Sequence, residues 1–371
     1  MKIAFVCGPT SSMIRPSYLG RELAQRGHDI HVIVPPSPKR PEFFGLEEHP
    51  VSIDICPPGG RALTEVTSRL RALDPDVVHC VETSRRTVPA TLRYTPCSRA
   101  VSIVDMPDRM SGWDRLLSKF TVAFEYWALW QADAVAVASQ ELLRYYQRRR
   151  HRARLYYLPF AVDLDFFNRY RDRAAQVRAR YGDLKLLTYL GYLIPQYSPR
   201  ESLAMARALS RRRRDFRLLY VGRGPYLPAL RAQAETWGIA DLVDFVGYVA
   251  EEDLPGYLTA SDVLLCPLED NTANRFRCPS KAFWYLAARR PIVATKMGEV
   301  YHALGDESLY YEYGNAEDFA DQVEQALSGE APIPAAARAA AHSWPAVADR
   351  YEQMLAELTG GQGRGGKEAA S

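Results

Sequence analysis

A chain of 371 residues is long enough for two domains with well-buried cores, and its make-up (47% hydrophobic, 25% charged, 11% aromatic) is that of a globular protein. A net charge of +3 is too small to point to nucleic acid by itself. The six cysteines (Cys7, Cys56, Cys80, Cys97, Cys266, Cys278) form no CxxC pair and no zinc spacing, which suggests a reducing compartment rather than a disulfide framework. No signal-peptide pattern follows MK and no run of ~18 apolar residues occurs, so the expectation is a cytoplasmic protein without a membrane span.

IAFVC (3–7) is a continuous apolar run, as a strand buried on both faces requires. The loop GPTSSMIRPS and the helix YLGRELAQRG follow, with Gly27 placed as a helix stop. Strands HDIHVIVP and VSIDIC, helix 61–73, strand DVVHC, a helix from about 86 and strand AVSIV come next. Helix 114–131, strand AVAVAS, helix 140–150 and strand RLYYLPF complete the first half. The pattern restarts at KLLTYLGYL (185–193). It continues through helix 200–212, strand FRLLYVG, helix 226–237, strand VDFVGYV, helix 251–259, strand DVLLCPL, helix 280–288 and strand PIVAT. Such βα alternation predicts two parallel, doubly wound sheets. The domains are read as 1–163 and 185–342, joined by a polar linker at 164–184. Helix 344–359 closes the chain before a Gly-rich tail, 360–371, expected to be disordered.

Ligands of open parallel sheets bind beyond the carboxyl ends of the strands. Two such domains facing each other place a substrate site in the cleft between them, which suits a two-substrate transfer with closure around both partners.

Several signals have a plain reading. DLD (163–165) mimics a metal-binding D-x-D but sits in the hinge. The segment RLLSKFTVAFEYWALWQ (115–131) is aromatic and nearly free of charge; it reads as a helix packed on the sheet, with peripheral membrane contact the less favoured alternative. The basic clusters RYYQRRRHRARLYY and RRRR (211–214) are read as solvated faces, against attraction to anionic lipid or an acidic acceptor. Nothing else supports RNA.

LGRELAQRGHDIHVIV, DVVH, ADAVAVAS, LPFAVDLDFF, LYVGRGP, VDFVGYVAEEDLPGYLTASDVLLCP and PSKAFWYLAARRPIVAT occur in the order found in the retaining GT-B glycosyltransferases of family 4, and the chain resembles them over most of its length. SWPAVADRYEQML resembles the family's closing helix, which crosses back to the N-terminal domain. The resemblance implies a GT-B fold and metal-independent transfer of a sugar, with retention, from a nucleoside-diphosphate donor. No cofactor is implied beyond that co-substrate. The implied acceptor is a small molecule, a lipid or a glycan.

Three departures stand out. Where the family places a Gly-Arg pair and a Lys on the diphosphate, this chain has Gly191-Tyr192 and Tyr197. The two glutamates of the family's Glu-x7-Glu pair fall at Phe276 and Trp284; the second normally accepts the ribose hydroxyls, and an indole has no acceptor. The loop that would present the first is instead NTANRFRCPSK. That loop carries Asn271, Asn274, Arg275, Arg277, Ser280 and Lys281 before and inside a helix start, where Pro279 is at home. Phosphates want N–H groups at a helix N-terminus together with cations. Lys281 and Arg277 are therefore expected to replace the missing pair, with Arg223 in VGRGP a further phosphate candidate. Spacing alone puts the Val249 backbone near the base. Glu299 either takes a ribose hydroxyl or caps the next helix.

On the acceptor side the candidates are Glu82, Asp105 and Asp108, carboxylates at strand ends that could receive a proton or simply form turns. In the family a catalytic-site His often stands near Asp105. His79 reads as a core histidine. Gly8 would allow close backbone approach to a ligand, or a plain tight turn. Two other functions compete: a catalytically silent GT-B subunit, and a GT-B enzyme with a non-standard donor.

Overall fold

The structure, a computed structural model, describes residues 1–7, 13–36, 46–57, 59–81, 87–95, 100–106 and 125–360. They form two compact units. The first comprises Met1–Phe160, Phe276–Cys278 and the chain from Trp344 onward; the second comprises Ala161–Arg275 and Pro279–Ser343.

The first unit holds a parallel sheet of seven strands in the order β3-β2-β1-β4-β5-β6-β7. These are β1 (Lys2–Cys7), β2 (Asp29–Val34), β3 (Val51–Ile55), β4 (Val77–Val81), β5 (Val101–Met106), β6 (Ala134–Val137) and β7 (Arg154–Tyr157). Central strands β4, β5 and β6 bury every residue, the outcome expected for strands covered by helices on both faces. Edge strands β3 and β7 are partly exposed. The helices are α1 (Ile14–Gln25), α2 (Ala62–Leu73), α3 (Val88–Tyr94), α4 (described over 125–131) and α5 (Gln140–Gln147). Ser139 caps α5, accepting from the Leu142 N–H.

The closing helix α16 (Trp344–Gly360) belongs to this unit, as the resemblance implied. Trp344 stacks on Tyr18 of α1 at 5.5 Å and 3°. Arg26, just past α1, reaches Asp349 at 2.7 Å and Glu352 at 2.6 Å.

The second unit holds six parallel strands in the order β10-β9-β8-β11-β12-β13. They are β8 (Lys185–Leu190), β9 (Phe216–Val221), β10 (Val243–Gly247), β11 (Val263–Cys266), β12 (Ile292–Thr295) and β13 (Leu309–Tyr311). Its helices are α6 (Leu164–Tyr170), α7 (Ala174–Tyr181), α8 (Pro199–Leu209), α9 (Leu227–Thr236), α10 (Leu254–Ala260), α11 (Thr272–Phe276), α12 (Lys281–Ala288), α13 (Gly298–Leu304), α14 (Ala316–Leu327) and α15 (Ala336–Ala341). Phe276, the last residue of α11, groups with the first unit.

Residues 164–184, read from sequence as a linker, instead fold as α6 and α7 inside the second unit. Val177 and Ala174 join a cluster with Tyr257, Leu254 and Leu186, so one apolar stripe anchors an otherwise charged segment. The boundary accordingly falls at Phe160/Ala161. Asp163 of the DLD stretch caps α6, accepting from the Phe166 N–H at 2.9 Å. Strand β13 and helix α11 were not anticipated, being too short to show a period. The tail 361–371 lies outside the described residues.

Beyond β8 and β9 the backbones nearly touch. A Cβ on Gly222 would lie 2.0 Å from the Gly191 carbonyl oxygen, and Gly222 has φ of +143°. Gly222→Ala is expected to destabilise the protein by about 2 kcal/mol or more; equilibrium unfolding in denaturant measures it.

Candidate functional site

In the second sheet the strand order reverses between β8 and β11, and the chains leaving their carboxyl ends diverge. That divergence opens the crevice in which doubly wound sheets hold ligands. One side chain spans it. The Tyr285 hydroxyl accepts from the Leu190 N–H at 2.9 Å and donates to the Leu265 carbonyl at 3.1 Å. Helix α12 is thereby fastened to the ends of both strands. Lys281 lies one turn earlier on the same face of α12. Its ammonium sits 4.5 Å from the centre of the Tyr189 ring of β8, and the residue is 9% exposed. Its charge reaches Cys266 at the end of β11, drawing down a thiol that burial pushes up. Neither Tyr285 nor Tyr189 was singled out from sequence. The available signal was the four-residue spacing of Lys281 and Tyr285.

Several expected donor residues follow the carboxyl ends of strands in this sheet. Gly191 and Tyr192 follow β8; Gly191 has φ of +149° and Tyr192 is 50% exposed. Arg223 follows β9 and is exposed, its guanidinium 4.6 Å from the Tyr248 ring after β10. Val249, beside Tyr248, packs its side chain against the Val177–Tyr257 cluster. Glu299 stands in the first turn of α13 after β12 and is 1% exposed.

The 271–281 loop is organised chiefly by its own hydrogen bonds. Asn271 Oδ1 accepts from the Asn274 N–H at 2.9 Å, and Asn274 Nδ2 donates to the Glu269 carbonyl at 3.0 Å. Arg275 is paired with Asp270. Ser280 occupies the N-cap of α12 but makes no side-chain capping hydrogen bond. Arg277 is buried and groups with the first unit, together with Phe276 and Cys278. Ser139 Oγ donates to the Phe276 carbonyl at 2.7 Å, and the Phe276 ring meets Tyr145 edge-on at 5.1 Å.

Trp284 is half-buried. Its indole contacts Phe166 at 6.3 Å and Phe167 at 6.1 Å, both on α6. The apolar ring thus has apolar neighbours in its own unit.

On the first unit, Asp105 is 1% exposed and forms an ion pair with Arg15 of α1, Oδ2 to Nε at 2.5 Å. Arg15 also donates to the carbonyls of Leu158 at 2.7 Å and Pro159 at 3.3 Å. Burial raises the Asp105 pKa and Arg15 opposes that rise. His79 lies in the same buried cluster. Its Nδ1 is 3.1 Å from the Tyr351 hydroxyl of α16, and its ring stacks near Phe5 and Tyr351. Burial, aided by Arg15, holds it neutral, well below the usual pKa of 6.5. This is a buried core histidine, as expected from sequence, with Nδ1 partnered and Nε2 buried without a hydrogen-bond partner. Glu82, Asp108 and Gly8 lie outside the described residues. Among the described residues no group of three or more His, Cys, Asp or Glu could hold a metal ion.

Two parallel Rossmann-like units, with the closing helix returned to the first, define a GT-B glycosyltransferase fold. Residues 17–166 match the family described as Glycosyltransferase Family 4, and residues 185–329 match the one described as Glycosyl transferases group 1. The chain belongs to the GT-B glycosyltransferases of family 4. Over 125 residues it is 38% identical to the GDP-mannose-dependent alpha-(1-6)-phosphatidylinositol monomannoside mannosyltransferase of Mycobacterium tuberculosis (strain ATCC 25618 / H37Rv). That match spans 33% of this chain and 32% of that protein, about a third of the relative's length. It is 25% identical over 238 residues to the 2-deoxystreptamine glucosyltransferase of Streptomyces kanamyceticus, covering 62% of this chain and 60% of that one. In fold it is similar to the Anabaena protein HepE, in a complex with UDP and glucose (TM-score 0.74, 14% identity, 96% of this chain and 100% of that one). A glycosyltransferase from Rickettsia africae ESF-5 gives a TM-score of 0.76 at 14% identity, over 96% of this chain and 98% of that one.

Tyr285→Phe removes both bonds between α12 and the strand ends, and is expected to cost about 1–3 kcal/mol of stability in denaturant unfolding. His79 gives a pH signature. The unfolded chain takes up a proton near pH 6.5 while the folded state refuses it, so stability falls as pH drops below that value, by up to ~1.4 kcal/mol per pH unit. Asp105, raised in the folded state, contributes a slope of opposite sign above its unfolded pKa of 3.8. The reading is therefore the difference between wild type and His79→Phe from pH 7 to 5, with the variant showing the flatter acid-side loss.

Proposed function

We propose that the chain transfers a sugar from a nucleoside-diphosphate donor to a small-molecule, lipid or glycan acceptor, with retention at the anomeric carbon and without a metal. The observation that carries this reading is the cation at the β8/β11 crevice. Lys281 is buried on the face that Tyr285 fixes to the ends of β8 and β11. A buried ammonium beside a sheet's switch point favours a multiply charged anion over a neutral ligand. Departure of a nucleoside diphosphate places new negative charge on the bridging oxygen, and a pre-positioned cation stabilises that charge without reorganising.

Arg223 supplies a second cation beyond the end of the neighbouring strand β9, where the Gly191 and Gly222 backbones come so close that a Cβ on Gly222 would meet the Gly191 carbonyl. Of the relatives, one is named for GDP-mannose and another for glucosyl transfer to 2-deoxystreptamine. A nucleotide sugar with a GDP or UDP carrier, and an amino-cyclitol or lipid-linked acceptor, are the first classes to examine. The site candidates Glu82, Asp105, Asp108 and Gly8 belong to the acceptor side of this proposal.

A second reading, a non-standard donor, is favoured by one observation: the position of the ribose-accepting carboxylate holds Trp284, packed on α6. Calorimetry with UDP-, GDP- and dTDP-sugars separates the readings. Binding by one carrier class is expected, and Lys281→Ala is expected to weaken it by about tenfold or more, the loss of a charged hydrogen bond. Absence of binding to every member of the panel sinks the proposal, and unchanged affinity in Lys281→Ala removes Lys281 from the site.

A further inference from the structure

Helix α4 buries one stripe and exposes another. Glu125, Ala128 and Leu129 are buried, with Ala132 continuing the stripe, and Glu125 takes the Tyr146 hydroxyl at 3.2 Å. On the opposite side stand Trp127 and Trp130, three positions apart and so on one face, 37% and 45% exposed. Exposed indoles one turn apart are an unusual use of the side chain with the most apolar area to hide.

The chain after α5 returns to this helix. The N–H groups of Arg152 and Ala153 donate to the Leu129 carbonyl at 3.2 and 3.0 Å, which seats the basic loop against the end of α4 next to Trp130. Arg148, Arg150 and Arg152 are exposed, and none has an acidic partner among the described residues. Carboxylates nearby in sequence are engaged elsewhere. Asp133 accepts from the Ser102 N–H and hydroxyl, and Glu141 pairs with Arg144. The two sequence signals read separately, an aromatic helix and a basic run, thus form one patch.

We propose that this patch docks the first unit onto an anionic phospholipid bilayer. Indoles prefer the boundary between headgroups and acyl chains, and arginines bind lipid phosphate. One patch offering both fits a membrane surface better than an acidic protein, which would leave the indoles without apolar cover, or a second copy of the chain, whose arginines would face each other. Neither term demands a spanning helix, and no described helix is long and apolar enough to cross a membrane. The inference is independent of the donor-site reading, since its test needs no nucleotide.

The test is co-sedimentation of the full chain with phosphatidylcholine vesicles and with vesicles that also carry phosphatidylglycerol. Binding to the anionic vesicles alone, weakened by salt, is expected. The triple variant Arg148→Glu, Arg150→Glu, Arg152→Glu is expected to lose about a hundredfold in apparent affinity. Trp127→Ser with Trp130→Ser is expected to abolish retention while leaving the melting temperature close to wild type, because both residues are exposed. Absence of binding to anionic vesicles overturns the proposal. So does binding that both variants retain, or a response limited to RNA or to self-association.

Discussion

The Tyr285 hydroxyl is the constraint on which the second unit's chemistry depends. Parallel strands that diverge leave N–H and C=O groups at their ends without strand partners, and buried groups of that kind are costly. Tyr285 satisfies one of each, on β8 and on β11. Because a helix is rigid at this length, fixing Tyr285 also fixes Lys281 one turn earlier. A bond that closes the sheet end therefore also aims the cation. The short approach of Gly191 to Gly222 serves the neighbouring strand ends in the same way, by removing side chains where backbones must nearly touch.

The first unit has a buried counterpart in Arg15. The guanidinium joins α1 to β5 through Asp105 and to the chain after β7 through two carbonyls. A buried pair of this sort adds little net stability, but removal of one partner is strongly destabilising, because the other charge remains. It ties the first turn of α1 to the end of β5. Tyr351 and His79 continue the cluster into α16, so the closing helix is held by polar as well as apolar contacts.

Much of the fold was legible in the sequence. Runs such as IAFVC, DVVHC and AVAVAS have no polar alternation, and only strands covered on both faces can bury them. Their regular alternation with helical segments specifies parallel sheets, and the restart at KLLTYLGYL marks the second one. Short elements were invisible: β13 has three residues and α11 five, fewer than a period needs. The linker reading failed at Val177 and Ala174, where a sparse apolar stripe in a charged segment was enough to seat α7.

Site chemistry was legible as a list of residues and not as an arrangement. Sequence marked Lys281, Arg277 and Trp284 together because they are close in the chain. Packing gives each its own surroundings: Lys281 lies by the Tyr189 ring, Trp284 meets Phe166 and Phe167, and Arg277 is buried in a short segment that groups with the first unit. Likewise a carboxylate at a strand end, Asp105, looks the same in sequence whether it meets substrate or Arg15. Local apolar periodicity determined the strands and the helices, since those depend on each segment's own pattern of burial, while the family was legible from the order of its motifs along the chain. The tertiary structure decided which face of α12 meets the strand ends and which charge neutralises Asp105, because those depend on partners distant in the chain.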